Sequence, residues 1–158
     1  MPDTPQPPAG PGAQGPASQG PTNLGLAIVI HAGGYDRVHY ALVMASAAAA
    51  IGRPVTLFFT GRALWALVAD DGWKALDFAE DGSSAATRDA LLSHRGVATM
   101  AELLEACGAL GVRIIACEMG WRALGLNKPR LAEGLTVETA GMVTLLGAVQ
   151  PGHHLVFV

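Results

Sequence analysis

Cys117 ends the apolar run Val112-Arg-Ile-Ile-Ala-Cys and is followed at once by Glu118 to Leu124, a segment of helical character. A thiol at such a junction faces the free N–H groups and the positive dipole end of the helix, which favour the thiolate. That is the form required of a nucleophile or a sulfur carrier. Arg122 stands one helical turn beyond and supports the anion, whereas Glu118 opposes it. The plainer reading of the same position is a small buried hydrophobe, the ordinary fate of a free cysteine. The other cysteine, Cys107, falls inside a helical segment. Tracing that helix back along the strand, at about 1.5 Å per helical and 3.3 Å per strand residue, separates the two thiols axially by roughly 10 Å. A disulfide needs Cα atoms within about 7 Å. A resolving pair is therefore not expected, and Cys107 reads as core.

The remaining polar candidates sort by position along the strands, because ligands of open parallel sheets bind at the carboxyl strand ends. His31 and Thr60 share that end with Cys117, while His153, His154 and Arg53 fall at the other. His31 can orient or deprotonate the thiol if its strand neighbours that of Cys117, the arrangement a flavodoxin-like order gives. Otherwise it is a hydrogen-bonded structural residue. Gly33 and Gly34, just before a helix, offer an anion-binding nest, yet neither a G-x-G-x-x-G nor a Walker loop is present. Thr60, Met119 and Trp121 flank the same strand ends and complete the expected binding residues. Trp65, Trp73 and Trp121 either line a pocket over Cys117 or serve core and subunit contacts. The five histidines and two cysteines show no metal-ligand spacing, and no cofactor is expected.

These residues need a frame to hold them. Leu24 to Ile30 is apolar without alternation, as in a strand buried on both faces. Tyr35 to Ile51 is helical and alanine-rich, with Gly52 and Pro54 as stop signals. Pro54 to Thr60 is a second strand, Arg62 to Ala69 a short helix, and Thr99-Met-Ala-Glu102 a capping box opening a helix to Leu110. Val112 to Cys117, Leu135 to Val137 and His153 to Val158 supply three more strands, with a helix over Glu138 to Leu146. Residues 70–95 read as a long acidic loop, with six carboxylates against three basic side chains, the kind of excursion that often serves as a flap. Apolar strands alternating with helices, without hairpin signals, predict an α/β three-layer, flavodoxin-like fold with a five-stranded, mainly parallel sheet and helices on both faces.

Composition narrows the function classes. The chain has 158 residues, enough for one domain, and 51% are apolar. Residues 1–22 hold seven of the ten prolines and no Leu, Ile, Val, Phe, Trp or Tyr. They are expected to form a disordered tail ahead of a folded unit at 23–158. A formal net charge of −3 gives no footprint for nucleic acid. No apolar run approaches the length of a membrane span. Arg37 is the first basic residue, so no secretory signal is read, and two cysteines fit a reducing cytoplasm.

Two stretches, Ala48 to Gly61 with its Phe58-Phe59 pair and Gly111 to Leu126 with its Ala-Cys-x-Met block, resemble the DsrE/DsrF-like family. The resemblance is closest to its single-protein branch, sometimes labelled peroxiredoxin-like, and runs from Leu24 to Val158. It implies a five-stranded α/β fold, homo-oligomers of two, three or six subunits, and cytoplasmic sulfur trafficking. The family's persulfide-carrying cysteine maps onto Cys117, and rhodanese- or TusA-type sulfur carrier proteins are the implied partners. The expectation is a sulfur-relay protein. Its rival is a non-enzymatic oligomeric module that binds a small ligand or protein and keeps Cys117 buried and inert. Peroxidase chemistry would call for its own cysteine motif and commonly a resolving thiol, and neither is visible.

Overall fold

The computed structural model describes residues 24–158; the expected tail lies outside the described residues. Along the chain run β1 (Leu26–Ile30), α1 (Tyr35–Ala50), β2 (Val55–Phe59), two 3₁₀ segments (Gly61–Leu67 and Gly72–Ala75), α2 (Ala85–His94), α3 (Met100–Ala109), β3 (Arg113–Cys117), α4 (Glu118–Ala123), β4 (Val137–Ala140), α5 (Met142–Ala148) and β5 (His154–Phe157). The five strands form one parallel sheet in the order β4-β3-β2-β1-β5. The expected α/β architecture is thus present, with β1 buried along its whole length as its unbroken apolar run requires.

The strand order decides which residues can meet. The chain steps from β1 through β4 in one direction and only then returns to the far side of β1. β2 therefore separates β1 from β3, and His31 does not share a strand pair with Cys117 as flavodoxin-like order would have arranged. Three same-direction crossovers keep α1, α3 and α4 on one face. There Leu26, Ile28, Leu57, Phe59 and Ile114 pack with Leu42, Leu103 and Trp121. Buried Ala41, Ala45 and Ala48 let α3 approach α1 closely. The returning crossover puts α5 alone on the second face, where Leu145 covers Ala27, Val29, Phe58, Ile115 and Cys117.

Two further expectations change. The 70–95 stretch is not one long loop, since it contains the second 3₁₀ segment and α2. Helix α2 has no apolar stripe to betray it: only Ala85 and Asp89 are buried. It is held by a Ser84 cap, whose hydroxyl accepts the Thr87 N–H, and by Asp89, which accepts the Tyr35 hydroxyl at 2.6 Å and the Met100 N–H at 2.8 Å. The fourth strand lies at Val137–Ala140, where a helix start was expected, and Gly141 caps α5 instead. The capping box at Thr99 and Glu102 is fully formed.

Candidate functional site

Cys117 is both the last residue of β3 and the N-cap of α4. Its sulfur accepts the Gly120 backbone N–H at 3.4 Å, satisfying one of the donors that a helix start leaves free. Gly120 allows this close seating: a Cβ there would come within 2.6 Å of Leu64 Cδ1 and 3.3 Å of both Thr60 Oγ1 and Cys117 Cβ. Thr60, continuing β2 by an N–H bond to the Ile30 carbonyl at 2.9 Å, thus borders the same turn as the thiol. The sulfur-bearing residue is 4% exposed and belongs to the second-face cluster beneath Leu145. Its neighbour Met119 is 76% exposed.

The other sequence-predicted residues spread along the strand ends. Arg122 extends into solvent and pairs with Glu118 at 2.5 Å, one helical turn away. His31 lies two strands from Cys117, roughly 9.5 Å across the sheet by strand spacing, with its ring stacked on Phe157 at 5.9 Å. The Gly33-Gly34 turn is filled from within. The Asp77 N–H donates to the Gly33 carbonyl at 2.8 Å, and the Asp77 carboxylate accepts from Arg62 Nε at 2.5 Å. A Cβ on Gly33 would strike Asp77 Oδ2 and Arg62 Cβ, each at 2.5 Å. The tryptophans do not roof the thiol. Trp73 and Trp121 are buried in the first-face core and Trp65 packs against it, while Cys117 points to the second face.

A family model described as DsrE/DsrF-like matches residues 25–158. The chain belongs to the DsrE/DsrF-like family. It is 24% identical over 155 residues to the uncharacterized protein YrkE of Bacillus subtilis (strain 168), an alignment covering 83% of this chain and 94% of that protein. Its fold is similar to that of the ychN protein from E. coli, with a TM-score of 0.55 at 13% identity, covering 85% of this chain and all of the other. A protein of unknown function from Methanobacterium thermoautotrophicum gives 0.54 at 16% identity, over 85% of this chain and 99% of that one.

Within this DsrE/DsrF-like chain, Cys107 is the contrasting thiol. It is fully buried on α3, its S–H directed at the Leu42 carbonyl at 3.9 Å, and burial pushes its pKa up to about 11. Both cysteines are free. Arg53 and His154 meet at the amino ends of the strands, at 3.0 Å, away from Cys117. Sequence reasoning missed Gly120, whose place three residues after the cysteine was the available signal. It also missed Asn127, Lys128 and Thr139, which join Trp121 around a cleft beside α4 and carried no motif. Among the described residues no helix is long and apolar enough to cross a membrane, and no group of three or more His, Cys, Asp or Glu side chains is placed to hold a metal ion.

Proposed function

We propose that this DsrE/DsrF-like protein is a cytoplasmic sulfur-relay protein in which Cys117 accepts sulfane sulfur as a persulfide and passes it on. Family membership supports a role of the sulfur-relay type. The observation that carries the assignment to Cys117 is the Gly120 N–H directed at its sulfur at the carboxyl end of β3. In the step, the Cys117 thiolate attacks the outer sulfur of a donor persulfide. The donor S–S bond breaks, the donor leaves as a thiolate, and the outer sulfur stays on Cys117 with its hydrogen. Delivery repeats the exchange, an acceptor thiolate attacking the same outer sulfur and Cys117 returning as thiolate. No external oxidant or reductant is needed.

The Gly120 amide meets the reacting sulfur, the Thr60 side chain borders the same turn, and exposed Met119 marks where a partner arrives. Arg122, tied to Glu118, and His31, beyond β2, act on that partner rather than on the sulfur. Rhodanese- or TusA-type carriers are the proposed donors and acceptors. An apolar strip on the second face, Val143 and Leu146 of α5 with Leu155 and Phe157 of β5, supports a homo-oligomer of two, three or six copies. Incubation of the full chain with a persulfide donor, followed by intact mass measurement, should show one added sulfur on Cys117. No adduct, under conditions that load a control sulfur carrier, sinks the relay.

One observation favours the rival reading. Cys117 is nearly as enclosed as Cys107, as an inert thiol in a ligand-binding module would be. If native Cys117 resists alkylation as strongly as Cys107 does, that reading prevails.

A further inference from the structure

A cleft of about 650 Å³ opens between α4 and the 126–131 loop, beside β4. Its lining divides by chemistry: Trp121, Leu126 and Leu131 form an apolar side, and Asn127, Lys128 and Thr139 carry hydrogen-bond donors. Glu118 and Arg122, on the rim, offset each other in their ion pair. Lys128 takes part in no ion pair among the described residues. The cleft therefore carries one uncompensated positive charge in a chain of formal net charge −3. Lys128 also holds φ +50°, a left-handed conformation that is uncommon for a non-glycine residue. Trp121, 6% exposed, lends the cleft part of an otherwise buried indole.

The cavity beside α1 and α2 differs in that most of its charges are matched, its Arg37, unpaired among the described residues, sharing the lining with the Glu80 carboxylate. There Arg88 binds Asp36, Asp36 accepts the Glu80 N–H, and His39 donates to the Ala98 carbonyl.

We propose that the cleft beside α4 binds a small organic anion with an apolar tail. The acid group sits at Lys128 with the Thr139 hydroxyl and Asn127 amide as further donors, and the tail lies against Trp121, Leu126 and Leu131. The volume falls within the range of small-molecule sites, about 300–1,000 Å³. Cys117 is not among the lining residues, so this site goes beyond the relay and does not rest on it.

The test is titration of the full-length chain with 4-phenylbutyrate, 4-phenylbutanol and 4-phenylbutylamine. Binding is followed calorimetrically and by the indole N–H resonances, assigned with Trp121→Phe. The acid should bind at least about tenfold more tightly than the alcohol, the worth of a charged hydrogen bond. It should shift the Trp121 resonance while Trp65 and Trp73 stay in place, and the amine should bind no better than the alcohol. Lys128→Gln should erase the acid's advantage and Lys128→Arg should keep it. Equal affinity for acid and alcohol, an unchanged preference in Lys128→Gln, or shifts confined to the other tryptophans would overturn the proposal. The same affinities in Cys117→Ala separate this result from the fate of the relay.

Discussion

Cys107 and Cys117 are both free and both buried, yet they sit on opposite faces of one sheet and their sulfurs engage the backbone in opposite senses. Cys107, within α3 on the thickly covered face, points its S–H at a carbonyl, a contact that only the protonated form can make. Cys117, at the start of α4 on the face covered by α5 alone, accepts an N–H. In exposure the two residues differ little, and what separates them is the backbone group that each sulfur faces.

The strongest way to break this contrast is sulfur loading. Cys117→Ala should abolish uptake from a persulfide donor, and Cys107→Ala should leave it intact; uptake that depends on Cys107 reverses the assignment. A smaller effect comes from the coverings. Leu145 is fully buried as the main α5 side chain over the second face, and Leu145→Ala should cost about 2–5 kcal/mol. In urea titrations and alkylation assays, that variant should lose stability and speed alkylation of Cys117 by a larger factor than that of Cys107. Equal acceleration of both thiols would mean that the two faces open together.

Next comes pH. The thiol of Cys107 is held protonated up to about 11, so at pH 8 only about a thousandth of it is thiolate, and native alkylation there should be slow. Because the folded pKa exceeds the unfolded one, the folded state keeps its proton longer. The associated stability is present in full below the unfolded thiol pKa, near 8.5, and is lost as pH rises through 11. Cys107→Ala should remove that alkaline loss, about 3 kcal/mol, from a stability–pH profile; an unchanged profile would place the loss elsewhere. Smallest is the α3 cap. Thr99→Ala should cost about 1 kcal/mol, read as a shifted denaturation midpoint, without altering alkylation of Cys117.

Much of this was legible in the chain itself, for identifiable reasons. Apolar runs and glycine or proline stops located β1, β2, β3 and β5 but not β4, whose polar Glu138 and Thr139 read as a helix start, and Thr99 with Glu102 announced α3. The strand–Cys–helix junction announced the N-cap position of Cys117. Strand order was not legible, because a crossover can step either way across a sheet and leave no mark in the residues it joins. That is why the condition on His31, that its strand neighbour that of Cys117, could be tested only once the order β4-β3-β2-β1-β5 was known. Which face Cys117 occupies was hidden too, since strands apolar on both sides carry no alternation to read. Helix α2 escaped because its anchor is a carboxylate: Asp89 joins α1 and α3 through hydrogen bonds, in a helix that buries little else. The cleft beside α4 has no sequence signature, as Thr139 and Lys128 converge only once β4 is laid against β3.

The turn after β1 has a further implication. In a parallel sheet of this kind, a glycine pair leading into a long helix is where a phosphate would settle. Here the seat is taken by the protein's own Asp77, secured by Arg62 and by the strand-like bridge to Gly34. An incoming phosphate would have to evict a tethered occupant whose carboxylate already holds the neighbouring Arg62. The berth that doubly wound folds commonly keep for nucleotides is closed from the inside, and it serves to fasten the chain to itself.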